Sequence, residues 1–162
     1  MPDVFTKAKR SQVMSRIRGR GNKETELALA KLLRAAHITG WRRQVRLKVG
    51  ELRVEGRGTS PRPSSQRGEG VRVRPDFTFR KERVVIFVDG CFWHGCPKHS
   101  NMPANNRTFW LKKLTANKAR DRQVTRTLRQ RGWRVLRVWQ HELARKNEAR
   151  LMRRLEYSLG FA

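Results

Sequence analysis

Apolar positions along the chain follow two periods, and the switches between them mark the elements. Val84 to Val88 is an uninterrupted apolar run whose length and β-branched content predict a buried strand, closed by Asp89-Gly90. Val71 to Phe79 alternates apolar and polar side chains and Arg80 to Arg83 forms a turn, so these two strands are expected to pair antiparallel. Folding that hairpin about its turn sets Asp76 roughly opposite Asp89. Trp41 to Lys48 also alternates, and Trp133 to Trp139 reads as a further strand ending at Gln140-His141. A helical period appears in three places. With Asn22 as N-cap, a first helix runs to about Ala36 and presents Leu29, Leu32, Leu33 and Ala36 on its apolar face. A long helix from about Thr108 to Arg131 stops at Gly132, and a last one from about Asn147 to Leu159 buries Leu151, Leu155 and Leu159. This order predicts an α/β fold: a single domain, one mixed β-sheet flanked by helices.

Acids break the apolar stripes at two points. Glu26 falls on the same helix face as Leu29 and Leu33, so it is either solvated at the edge or aimed at a site. On the long helix, Trp110, Leu114, Asn117, Asp121, Val124 and Leu128 form one stripe, apolar at both ends and polar in the middle. A polar pair inside a buried stripe must face something polar, a site or a structural network. Asp76 and Asp89, brought together at strand ends, could share a divalent cation or could simply be two exposed acids.

Charge narrows the partner. The 162 residues hold 39 Lys plus Arg against 13 Asp plus Glu, a net charge of +26. Such a charge strains a compact state unless a polyanion is near. Because the basic residues run along the whole chain with aromatics among them, nucleic acid is the leading partner and an anionic membrane surface the rival. Residues 1–21 read as a basic arm carrying Arg16, Arg18 and Arg20, and residues 22–162 as the domain. Within the domain, about 48–72 is rich in Gly, Pro, Ser and Arg and reads as a flexible basic insertion, either tolerated or used to grip phosphates. Arg and Lys of the arm and of the long helix, Lys112 and Lys113 among them, are expected to hold phosphates. No apolar run approaches the roughly 20 residues of a membrane-spanning helix and no signal-peptide core follows the N-terminus, so the cytoplasm is the expected location.

Both cysteines and two of the four histidines fall within the nine residues after Asp89-Gly90. Cys91, Cys96 and His99 have the spacing C-x4-C-x2-H, and His141 joins them if its strand neighbours Val84 to Val88. Four sulfur and nitrogen donors closing a tetrahedron make a structural zinc site; buried thiols beside surface histidines are the alternative. His94 lies inside the loop but outside that set, free for acid–base work near a phosphate.

On P-D-F at Pro75 to Phe77, VVIFVDGCFWHGC at Val84 to Cys96, R-T-F-W at Arg107 to Trp110, A-R-D-R at Ala119 to Arg122 and GWRVLRVW-x-H at Gly132 to His141, the sequence resembles the very short patch repair (Vsr-type) DNA mismatch endonucleases. The motifs stand in order across nearly the whole chain except about 48–72. The resemblance implies a restriction-endonuclease-like fold and a magnesium-dependent enzyme that nicks one strand 5′ of the thymine in a T·G mismatch, leaving a 5′-phosphate and a 3′-hydroxyl. It implies that Asp76 and the Val88 carbonyl contact magnesium and that His94 acts as acid, base or water-orienting group. Glu26 and Asp121 then support the site, and Phe92, Trp93 and Trp110 wedge into the base stack. Asp89 stands where some members carry a second histidine and is a candidate for direct metal contact. His141 stands where some members have a cysteine, and histidine serves zinc equally. A monomer on DNA is expected, with general mismatch-repair proteins as a candidate partner. Two rivals stay open: a same-fold nuclease that cuts both strands, and a zinc-stabilised DNA-binding module without catalysis.

Overall fold

The computed structural model describes residues 24–49, 72–99, 102–103 and 105–161. The expected arm with Arg16, Arg18 and Arg20, the Asn22 cap and the interior of the insertion lie outside the described residues. Among the described residues six strands and three helices follow in order: α1 (Glu26–Ala35), β1 (Trp41–Arg43), β2 (Leu47–Lys48), β3 (Arg72–Val73), β4 (Phe77–Phe79), β5 (Val84–Asp89), α2 (Arg107–Gln130), β6 (Arg134–Trp139) and α3 (Glu148–Leu159). Two short 3-10 turns, Gln140–Leu143 and Arg145–Asn147, join β6 to α3.

The expected mixed sheet is present, in the order β1-β4-β5-β6. The hairpin β4–β5 is antiparallel, with Phe77 opposite Ile86 and Phe79 opposite Val84. Continued by one residue, this register sets Asp76 opposite Phe87, two short of the expected Asp89. β5 and β6 run parallel, Val84 beside Arg134 through to Asp89 beside Trp139. A parallel pair requires a crossover, and α2 supplies it. The carboxyl ends of β5 and β6 therefore lie side by side, which brings the loop after Asp89 next to His141.

Side-chain alternation divides the core in two. Val84 and Ile86 of β5 and Val138 of β6 pack with Leu29, Ala30 and Leu33 of α1 and with Leu151, Leu155 and Leu159 of α3. Val85 of β5 and Val135 of β6 face the other way, toward Leu128 of α2. Each fully buried Leu, Val or Phe contributes about 1.5–3 kcal/mol against exposure. On the α2 face the same alternation carries Phe87 and then Asp89 along β5, with Arg137 on β6.

Two expected strands are shorter than their patterns. Trp41 to Lys48 breaks into β1 and β2 because Gln44 takes a left-handed backbone, φ 55°, which a ladder does not accept. Val71 to Phe79 breaks at Pro75, which has no N–H to give a ladder. The freed pieces β2 and β3 pair antiparallel with each other, Leu47 opposite Val73 and Lys48 opposite Arg72. Lys48 and Arg72, expected in the insertion, are thus ordered strand ends. Gly132 stops α2 as expected: at φ 75° it donates to Arg129, and Trp133 donates back to Leu128.

Candidate active site and metal centre

Two clusters form where β5 and β6 end. The first holds Asp76, just before β4, and Glu26, at the start of α1. Asp76 Oδ2 accepts the N–H of Val88 at 2.7 Å. In a strand the N–H and C=O of one residue share a side, so the Val88 carbonyl faces Asp76 too. Gln44 links the acids: its Nε2 donates to Glu26 Oε2 at 3.0 Å and to Asp76 Oδ1 at 3.2 Å. The left-handed turn that ends β1 is what brings this amide between them, with the Gln44 N–H bonded to the Asp76 carbonyl at 3.2 Å. Arg43 Nη2 meets Glu26 Oε2 at 2.9 Å. Glu26 is buried, so of its two sequence readings the inward one holds. Burial pushes the Asp76 carboxyl up to about 6; the Val88 bond opposes this, and the like charges of Glu26 and Asp89 add to it.

The same corner continues onto α2. Asp121, in the polar middle of the predicted stripe, meets His94 Nδ1 with Oδ2 at 2.6 Å. An ionised carboxylate only accepts, so Nδ1 carries a hydrogen, and in the neutral ring Nε2 keeps its lone pair. Burial raises the Asp121 carboxyl, but the His94 bond and the Arg137 charge outweigh it and hold the group below the usual carboxylate range. Asp89 is 2% exposed, and both its oxygens accept from Arg137, from Nε and Nη2 at 2.6 Å each. Asp89 and Asp76 therefore do not pair as the hairpin reading expected; each carboxylate has its own partners. Arg137 Nη2 also reaches Asp121 Oδ1 at 3.1 Å, and Asp89 Oδ1 lies 3.6 Å from His94 Nδ1.

The second cluster is Cys91, Cys96, His99 and His141, whose donor atoms all lie within 4.8 Å of one another. Cys91 Sγ is 3.3 Å and Cys96 Sγ 3.6 Å from His141 Nδ1, and Cys96 Sγ is 3.7 Å from His99 Nδ1. A tetrahedron with zinc–sulfur and zinc–nitrogen bonds of about 2.3 and 2.1 Å has edges of about 3.5–3.8 Å. The donor set and its spacing fit that ion. Burial pushes the Cys91 thiol up, and burial with the neighbouring His99 pushes the His141 imidazole down. A dication among the four would favour the thiolate and the neutral imidazole.

The loop after β5 and the start of α2 share an aromatic group. Phe92 packs edge-on to Trp93 and Trp110 with centroids 5.1 Å away in both cases, and Trp93 and Trp110 are 5.9 Å apart. Asn117, the other polar residue of the stripe, donates to the Trp93 carbonyl at 2.9 Å and so ties the aromatic loop to α2. Gly95, at φ 62°, lets Lys118 cross the loop; a Cβ there would sit 2.2 Å from Lys118 Cε. Lys112 and Lys113 are exposed on α2 beside Trp110. Sequence reading missed Gln44, Arg43, Arg137 and the exposed Phe109, 5.3 Å from Trp110. Only Arg137 carried a signal: a charge inside the apolar strand VLRVW.

Residues 56–100 match the family model described as DNA mismatch endonuclease Vsr. The type II nicking enzyme V.NaeI of Lentzea aerocolonigenes is 52% identical over 75 residues, 46% of this chain and 45% of that protein. The DNA mismatch endonuclease Vsr of Escherichia coli K12 is 46% identical over 68 residues, 41% of this chain and 44% of its own length. Against these two the chain spans somewhat under half of the relative's length. The type II nicking enzyme V.NmeAIP of Neisseria meningitidis serogroup A is 34% identical over 157 residues, 96% of this chain and 92% of that protein. With that near end-to-end match, the chain belongs to the Vsr family of DNA mismatch endonucleases.

Proposed function

We propose that this protein is a magnesium-dependent endodeoxyribonuclease that nicks one strand of duplex DNA 5′ of the thymine in a T·G mismatch, and so initiates short-patch repair of deaminated 5-methylcytosine. The observation that carries the reading is the joining of one loop to two tasks. The loop after β5 holds the aromatic group Phe92–Trp93 and, next to it, His94 bonded to Asp121. A T·G pair unstacks more easily than a matched pair, so an aromatic wedge is less costly there. His94 then stands within one residue of the distorted step. Relatives named nicking enzymes support a one-strand cut over the restriction-type rival.

Asp76 and the Val88 carbonyl hold magnesium. The fit rests on Asp76 itself: a carboxyl raised to about 6 by burial and by neighbouring acids is relieved by a cation. When bound, magnesium supplies charge stabilisation at the phosphate. Glu26 supports the ion at longer range through Gln44. His94 Nε2 orients the attacking water and takes its proton, while Asp121 fixes the ring. Asp89, with both oxygens on Arg137, adds negative charge beside the site rather than an open ligand. Phe92, Trp93 and Trp110 enter the stack; Lys112, Lys113 and the arm residues Arg16, Arg18 and Arg20 hold phosphates. Cys91, Cys96, His99 and His141 hold a structural zinc. The fold is restriction-endonuclease-like, the working form a monomer on DNA, and the site of action the cytoplasm, with general mismatch-repair proteins as partners. No helix among the described residues is long and apolar enough to cross a membrane.

The test is nicking of a strand-labelled duplex with one T·G pair in varied flanks, with and without magnesium, beside matched duplex. Nicking of the thymine strand alone, only with magnesium, is the expected result. Equal cutting of matched DNA would replace the reading with a restriction-type nuclease, and tight binding without nicking in every flank would replace it with a DNA-binding module.

A further inference from the structure

Arg137 has no role in the proposed reaction, yet its guanidinium joins two carboxylates of the corner, Asp89 and Asp121. It sits on β6 opposite Phe87 of the parallel partner strand, with its guanidinium 5.2 Å from that ring's centroid. One edge of the fork, Nε and Nη2, grips Asp89 at 2.6 Å through both bonds. Nη2 also reaches Asp121 Oδ1 at 3.1 Å, while the other oxygen of Asp121 holds His94 Nδ1 at 2.6 Å. Three elements, β5, β6 and α2, thus meet at one guanidinium.

We propose that Arg137 is a positioning residue: anchored by Asp89, it fixes the Asp121 carboxylate so that His94 is held in the Nδ1–H form with Nε2 turned to the substrate. The assignment rests on the nuclease reading of His94. Asp121 sits on a helix whose buried anchors, Leu114 and Leu128, lie seven residues to either side. With one oxygen bonded to a mobile imidazole and the other free, the carboxylate could rotate about its last torsion, which is broad and roughly two-fold. The bond from Nη2 removes that freedom. A planar fork can serve both carboxylates at once from a fixed plane, which an ammonium cannot. Asp89 has the complementary part: its burial and two short bonds lock the fork to the end of β5, so the chain Asp89–Arg137–Asp121–His94 transmits the position of the sheet to the ring. His94 itself offers Asp89 only a 3.6 Å approach, so Asp121 and not Asp89 is its orienting acid.

Removing Arg137 alone strands the buried Asp89 charge and threatens the fold. The decisive comparison is therefore Asp89→Asn against Asp89→Asn with Arg137→Met, and the wild type against Arg137→Lys. Three quantities are read on the purified full chain: single-turnover nicking of a T·G duplex, its KM, and the tautomer of His94 from two-bond 15N–1H couplings of labelled imidazole. Adding Arg137→Met to Asp89→Asn is expected to lower kcat about 100-fold, the scale for a misplaced catalytic group, with KM changed less than about twofold. The Nδ1–H form gives way to a mixture. Arg137→Lys keeps the charge and the fold and is expected to lose about tenfold in kcat. Equal kcat in the two Asp89→Asn proteins, or an unchanged Nδ1–H population, overturns the assignment. Should the wild type nick no duplex, the nuclease reading fails, and the tautomer comparison still decides whether Arg137 governs His94.

Discussion

The two clusters at the ends of β5 and β6 are neighbours in space but opposites in wiring. Among Cys91, Cys96, His99 and His141 the described polar contacts of the donor atoms run to one another. In the carboxylate cluster each acid is also tied outward: Asp76 to a backbone N–H and Gln44, Glu26 to Arg43 and Gln44, Asp89 and Asp121 to Arg137. In the proposed zinc-bound form the first arrangement is a clip, fastening the loop after β5 to the turn after β6. The second is a frame, with acids held in place by amides and guanidinia from β1, the turn after it, β5 and β6. A clip adds stability to the chain; a frame spends stability to keep charge where chemistry needs it.

The sharpest way to break this contrast is Asp76→Asn. Nicking is expected to fall by at least about 10⁴-fold, roughly 5 kcal/mol of transition-state stabilisation, in a gel assay with magnesium. Stability should move the other way. Burial pushes the folded carboxyl from its ordinary 3.8 up to about 6, so the native state binds this proton more tightly than the unfolded chain. The wild type therefore loses stability as pH rises from about 4 through 6, and the difference Asp76→Asn minus wild type should grow over that window to about 3 kcal/mol. Denaturant melts in magnesium-free buffer at pH 4 and pH 7.5 measure it; a constant difference would mean the acid is not strained. Next in size, Cys96→Ser should abolish stoichiometric zinc in an elemental assay and cost about 3 kcal/mol, near 10 °C in Tm. If it left Tm unchanged, the clip would be an accident of proximity. Trp93→Ala should weaken binding to a T·G duplex by about 1–3 kcal/mol, read by fluorescence anisotropy, and matched duplex less. Smallest is Asn117→Ala, about 1 kcal/mol in stability from losing the bond to the Trp93 carbonyl, with mismatch preference falling by a similar factor since the loop loosens.

The sequence made the sheet and its helices readable wherever periodicity was unbroken. Val84 to Val88 and Gly132 behaved as their residue types demand, and Glu26 and Asp121 stood out because acids are costly on apolar stripes. What stayed hidden depended on backbone and partners far along the chain. Nothing local distinguishes Gln44 as left-handed, so Trp41 to Lys48 read as one strand and the amide between Glu26 and Asp76 went unseen. The expected turn Arg80 to Arg83 pairs Phe79 with Val84, as observed, and so sets Asp76 opposite Phe87; the reading that put it opposite Asp89 ran two positions too far along the strand. Arg137 was lost among 39 basic residues although its apolar neighbours marked it. In a chain with this surplus of positive charge, the informative cation is the one that is not free to meet solvent.

The two-residue ladder of β2 and β3 has a consequence for how such a protein can vary. Its antiparallel register sets Lys48 directly opposite Arg72, positions far apart along the chain. Closing a flexible segment between two positions held together in this way carries a cost that grows only with the logarithm of its length. The ladder is thus a natural splice point. A lineage could lengthen, shorten or exchange the segment, and an engineer could graft a reporter or a second DNA-binding module there, while the registers that place Asp76 and His94 stay as they are.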